Sequence, residues 1–139
     1  MTLKYFKLSE FNCPFLQDQK MNFTFLEKLD YARGLAEIPF KITSGYRTKE
    51  YNEDLIKRGY KASRNSSHLK GLAADISVKD SRQRYIVINS LLLAGFTRIG
   101  IADTFIHVDL DTEKSQNVIW TYKLNLYILS NYQKLTGLH

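Results

Sequence analysis

Two histidines in this chain have an aspartate close by. His68 is followed by Asp75 seven residues on, and His107 by Asp109 two residues on. The third, His139, is the terminal residue and is expected to fray. In Phe105-Ile-His-Val-Asp109, strand alternation puts Phe105, His107 and Asp109 on one face and Ile106 and Val108 on the other. In SSHLKGLAADIS, His68 falls in a polar loop and Asp75 in an apolar run between Ala74 and Ile76. A carboxylate in such company needs a partner, because burying an unpaired charge is costly. Gly71, Ala73 and Ala74 keep the space between the pair compact. His68, Asp75 and His107 would make a full protein ligand set for one catalytic zinc ion, leaving a fourth position for a water that the metal acidifies. The same side chains would also serve as hydrogen-bonded core histidines, and spacing alone does not choose between the two.

The elements that must position these groups are short. Residues 1–21 read as irregular, with a turn of helix at Leu8-Ser-Glu-Phe11. Thr24 and Glu27 fit a capping box, and Leu26, Leu29, Ala32 and Ala36 follow at helical spacing before Pro39. Residues 40–43 alternate as a strand that runs into the turn Ser44-Gly-Tyr-Arg47. Residues 48–58 read as a helix stopped by Gly59, and 61–67 as a loop. Strands are expected over 72–78, 96–101, 105–110 and 117–122, the middle two joined by a tight turn at Ala102-Asp-Thr104. A helix over 80–94 would be capped by Ser81, with Tyr85, Ile88, Leu92 and Leu93 as its apolar face, and a further helix is expected over 124–135. A tight turn between strands implies antiparallel neighbours. The fold class is therefore α+β, a small, mostly antiparallel sheet with helices packed on one face.

At 139 residues the chain suits a single domain with its own core. One cysteine, Cys13, excludes an intrachain disulfide and a cysteine-type zinc site. The formal charge of +6 favours anionic surroundings, but the basic residues form no stripe interleaved with aromatics, so a nucleic-acid partner is not expected. The N-terminus has no apolar signal segment and no run is long enough to span a bilayer, so no membrane span is expected.

Three motifs occur together and in order. The run SHLKGLAAD at 67–75 resembles the S-x-H-x-x-G-x-A-x-D motif of the M15 zinc peptidases, the D-alanyl-D-alanine carboxypeptidase family. Its small residue falls at Ala73, and Ala74 adds small bulk at a free position. Gly100-Ile with Phe105-Ile-His-Val-Asp109 resembles the family's second motif, and Ser44-Gly-Tyr-Arg47 its S-G-Y/W-R element. The resemblance covers roughly residues 22–122. It implies a hedgehog/D-Ala-D-Ala-peptidase-like fold, one zinc ion on His68, Asp75 and His107, and Arg47 as the group that holds a substrate carboxylate or an oxyanion. Ser67 and Tyr46 join Arg47 as expected substrate contacts.

The general base departs from the family pattern. Family members often carry an acid three residues before the second histidine, where this chain has Thr104. Asp103, one residue earlier, ranks first as base; Asp109 is the alternative, unless it orients His107 instead. The resulting expectation is a monomeric zinc metallopeptidase acting on peptidoglycan stem peptides or cross-links, made in the cytoplasm and reaching the wall by release or export. The rival expectation is a catalytically weak or inactive hedgehog-like zinc-binding module.

Overall fold

A computed structural model describes residues 2–122. The helix expected over 124–135, and His139, lie outside the described residues. In chain order the elements are α1 (Phe23–Ala36), β1 (Ile42–Ser44), α2 (Lys49–Lys57), β2 (Ala73–Ser77), α3 (Ser81–Leu93), β3 (Arg98–Ile101), β4 (Phe105–Asp109) and β5 (Val118–Thr121), with 3-10 turns at Leu8–Phe11 and Ser67–Lys70. The five strands form one sheet in the order β1-β2-β4-β3-β5. All neighbours are antiparallel except β3 and β5, which run parallel.

Alternation divides the sheet chemically. Ala74, Ile76, Ile99, Ile106 and Val108 point to one side, where they pack with Phe25, Leu26 and Leu29 of α1 and with Val87 and Leu91 of α3. Phe25 and Phe96 meet edge to face there at 5.8 Å, a favourable aromatic geometry. Ala73, Asp75, His107, Asp109, Arg98 and Gly100 point to the other side. That side is flanked by α2, whose Tyr51 and Leu55 line a cleft over it together with Arg58, just past the helix end. Helices α1 and α3 thus cover the apolar face, while α2 borders the polar one.

Three local expectations change. Helix α1 is capped by Asn22, whose side chain accepts the Phe25 N–H at 3.0 Å, and not by a Thr24 capping box. Asp80, not Ser81, caps α3 by accepting the Gln83 N–H at 2.8 Å. The buried stripe of α3 is Val87, Ser90 and Leu91, while Tyr85, Leu92 and Leu93 are exposed. Residues 85–88 and 91–93 are unbroken apolar runs, so several stripes satisfy helical spacing, and docking against α1 and the sheet selects one. Cys13 is buried, and its sulfur accepts the Thr48 N–H at 3.5 Å, tying the N-terminal segment to the start of α2.

Candidate metal centre

Strand register builds the centre. Asp75 on β2 stands directly across from His107 on β4, and Ala73 across from Asp109. His68 reaches them from the 3-10 turn Ser67–Lys70, which runs straight into β2. His68 Nε2 lies 3.2 Å and His107 Nδ1 3.0 Å from the same oxygen, Asp75 Oδ1. One ligand atom from each of the three residues lies within 4.8 Å of the other two, and all three residues are buried.

The two imidazoles are held differently. His68 Nδ1 is 2.7 Å from the Gly45 carbonyl oxygen, which can only accept, so Nδ1 carries a proton and donates it. Burial pushes the His68 pKa down and outweighs the attraction of Asp75, so a second proton is disfavoured. Nε2 therefore presents a lone pair to a carboxylate oxygen at 3.2 Å. His107 donates through Nε2 to Asp109 Oδ2 at 2.8 Å. Burial also opposes charge on His107, but the hydrogen bonds to Asp109 and Asp75 win and raise its pKa. Burial likewise disfavours ionised Asp75, yet both imidazoles hold it well below the usual carboxylate range.

This donor set fits a metal ion. Two ring nitrogens and one carboxylate oxygen come together there, and the proton that the raised His107 pKa keeps on its ring is one that a metal ion would displace. Donors about 2.0–2.2 Å from a tetrahedral ion lie roughly 3.3–3.5 Å apart, close to the spacings around Asp75 Oδ1. The remaining nitrogens are fixed by a carbonyl and a carboxylate, as outer partners of metal-binding histidines usually are.

The other expected residues separate into two groups. Arg47 is at the centre: its guanidinium is buried, donates to Ser44 Oγ at 3.0 Å and Asn52 Oδ1 at 3.2 Å, and contacts Asp75 Oδ2 at 3.4 Å. Burial lowers its pKa against the pull of Asp75. Arg47 and Asp75 line both of two adjoining cavities, of 670 and 260 Å³, together with Phe105 and Tyr122. Asp103 is exposed on the turn after β3 and lines the larger cavity. Asp109 is committed on both oxygens: Oδ2 to His107, and Oδ1 to Arg98 Nε at 2.7 Å and the Asp111 N–H at 3.1 Å. Both of its oxygens are hydrogen-bonded, and Oδ2 faces the His107 ring. Ser67 is also committed. Its hydroxyl donates to Asp111 Oδ2 at 2.7 Å and accepts from Lys114 Nζ at 3.0 Å, so it anchors the His68 turn and has no hydroxyl proton for a substrate. Tyr46 packs against the hydrophobic core and lines neither cavity, so it is not placed to contact substrate.

Four further residues surround the centre, of which Tyr122 and Trp120 read in the sequence as core or cleft-wall aromatics and Arg98 and Asp111 were not expected. Tyr122 lines both cavities, and burial first, then Asp75, pushes its phenol pKa up to about 12. It stays a neutral donor throughout the physiological range. Trp120 tilts over His107 at 5.6 Å, Arg98 stacks on Trp120 at 4.9 Å, and Asp111 ties Ser67 and Lys70 together. Arg98 was legible in principle. A guanidinium inside Phe96-Thr-Arg-Ile-Gly-Ile is a charge in an apolar strand and demands a partner, just as Asp75 does.

A mostly antiparallel sheet whose open face carries two imidazoles and a carboxylate, at the floor of a cleft, defines a metallohydrolase-type centre on an α+β scaffold. The family model Peptidase M15 matches residues 4–109, and the chain belongs to the M15 peptidase family, which is metal-dependent. The match takes in all three candidate ligands and also the N-terminal segment before residue 22. No curated protein sequence matches the chain. Among the described residues, no helix is long and apolar enough to cross a membrane.

Proposed function

We propose that the protein is a zinc-dependent peptidase that hydrolyses peptide bonds in peptidoglycan stem peptides or cross-links. The observation that carries this reading is the meeting of His68 Nε2, Asp75 Oδ1 and His107 Nδ1 in the wall of the smaller cavity, beside a buried arginine that, like Asp75, also lines the larger one. His68, Asp75 and His107 would hold a zinc ion, which when bound would supply Lewis acidity at the cleft floor. Arg47 contributes a fixed positive charge at the cleft floor, where it pairs with a substrate carboxylate or with the developing oxyanion. Its position is set in advance by Ser44 and Asn52, so little reorganisation accompanies binding. Tyr122 presents an un-ionised hydroxyl to the same space.

Asp103 is the base in this scheme. Of the carboxylates lining the two cavities, Asp75 is turned to the imidazoles and Asp109 is bonded on both oxygens, which leaves Asp103. It accepts a proton from the attacking water and returns it to the leaving amine. The turn that carries it is held by Arg84, which donates to the Asp103 carbonyl oxygen at 3.0 Å. Action at the wall as a monomer, after release or export, belongs to the same reading, and the net charge of +6 suits an anionic wall. The exposure of Asp103 favours one rival, a zinc-binding module with little activity.

The test is metal analysis of purified protein followed by digestion of purified peptidoglycan, with products read by mass spectrometry. Wild type should carry one zinc per chain and release peptide fragments. His68→Ala should lose both metal and cleavage, and Asp103→Asn should keep the metal and lose most cleavage. Zinc without cleavage in wild type would establish the binding module instead, and absence of zinc binding would remove the proposal.

A further inference from the structure

We propose that Arg98 is a positioning residue for the metal centre: it fixes the Asp109 carboxylate and the Trp120 ring, and through them the orientation of His107. The proposal rests on the metal reading given above. Arg98 opens β3, and its register places it on the same face as Gly100, which stands directly across from His107. Its side chain is nine-tenths buried.

The guanidinium makes two hydrogen bonds and one stacking contact. Nε donates to Asp109 Oδ1 at 2.7 Å, and NH1 donates to the Ser115 carbonyl oxygen at 2.6 Å. The guanidinium plane lies over the Trp120 ring at 4.9 Å, a favourable cation–π distance. Each partner then bears on His107. Asp109 takes the Nε2 proton through its other oxygen at 2.8 Å, which leaves Nδ1 as the nitrogen that faces Asp75. Trp120 meets the imidazole at 5.6 Å from the side.

Trp120 comes this close because β3 has a glycine opposite it. A Cβ at Gly100 would sit 2.7 Å from Trp120 Cε2. The imidazole is therefore confined by a carboxylate at one nitrogen and an indole against its ring, and Arg98 touches both confining partners. The Ser115 bond adds a link to the loop after β4. There Asp111 accepts from Ser67, beside His68, and donates its N–H to Asp109. A charge buried solely for fold stability would need only the pairing with Asp109; the fork onto two partners that both meet one ligand is what a positioning role requires.

The experiment is a double-mutant cycle on zinc affinity, measured by competition with a chromophoric chelator in wild type, Arg98→Gln, Asp109→Asn and the double variant. Melting of the metal-free proteins reports folding. Each single substitution should weaken zinc binding by about 10–100-fold. The loss in the double variant should fall short of the product of the two single losses, because part of the action of Arg98 runs through Asp109 and part through Trp120. Arg98→Lys, which keeps charge but loses the fork, should restore only part of the affinity.

An Arg98→Gln protein that melts cooperatively and binds zinc like wild type would overturn the proposal, as would effects that multiply in the double variant. A readout free of metal separates this failure from failure of the function. In metal-free wild type, the His107 Nε2 proton should give a far-downfield, slowly exchanging NMR resonance, lost or broadened in Arg98→Gln. If that resonance is untouched by the substitution, the positioning role is wrong whether or not the protein binds zinc.

Discussion

The two candidate metal-binding histidines are held by different kinds of partner. His68, on a turn, has its outer nitrogen fixed by a backbone carbonyl, that of Gly45, and burial keeps the ring neutral. His107, in the middle of a sheet, is fixed by a carboxylate that is itself fixed by an arginine, and its pKa is raised. A carbonyl cannot be deleted by changing a side chain, and its place depends on chain path. A carboxylate can be removed, neutralised or displaced by one substitution. The His107 half of the centre should therefore be the more sensitive to mutation nearby, and the His68 half to anything that moves the 44–47 turn.

The largest effect should come where the two halves meet. Asp75 Oδ1 is the one atom that faces both imidazoles, so Asp75→Ala should abolish metal binding, read by metal analysis, and take hydrolysis with it. A variant that still bound metal would show that the two histidines do not share a site.

Next, the supporting partners should differ in weight. Asp109→Asn should weaken metal affinity by about 10–100-fold. Ser67→Ala, which frees the His68 turn from Asp111, should cost about 1 kcal/mol of stability by thermal melting and change affinity far less. Equal effects on affinity would erase the distinction between the two halves.

Two glycines sharpen the contrast further. An alanine Cβ at Gly45 would lie 2.6 Å from the Phe11 Cα, and one at Gly100 2.7 Å from the Trp120 ring. Backbone cannot give way as a side chain can. Gly100→Ala should cost about 1–3 kcal/mol in a melt, and Gly45→Ala should cost more and displace the carbonyl that holds His68.

The smallest effect, and the most direct view of the difference, is titration of the metal-free protein by NMR. The His107 ring should hold its proton above pH 6.5, and the His68 ring should stay neutral below it. The sign follows for stability. The His107 contribution is complete below its unfolded value and is lost as pH rises through its raised folded value. His68 has the opposite slope, because folding holds it neutral and acid works against that. Metal competes with the His107 proton, so affinity should climb with pH over the same interval.

Much of this was legible in the residues. Alternation in Phe105-Ile-His-Val-Asp109 already put His107 and Asp109 on one face, and the tight turn at 102–104 already made β3 and β4 antiparallel neighbours. Asp75 announced itself as a charge in apolar company. The phase of α3 was not legible, because its apolar runs fit several stripes. The different surroundings of Asp103 and Asp109 were not legible either. Both are aspartates near His107 in sequence, and only the position of Arg98 shows that one of them is already fully engaged. Ser67 and Tyr46 looked like substrate contacts because they sit in the motifs, yet one is bonded to Asp111 and Lys114 and the other packs, half-buried, against the core.

The sequence by itself determined the chemistry available to this protein: two usable imidazoles, one thiol, a carboxylate that had to find a partner, and strands whose period of two sorts polar from apolar side chains. These are local properties, set by residue type and by spacing along one chain. The tertiary structure decided which groups share an atom, which carboxylate is free, and what holds each ring. Those depend on contacts between residues far apart in sequence, His68 with Gly45, Asp75 with His107, Arg98 with Asp109, and such contacts exist only once the sheet register has closed.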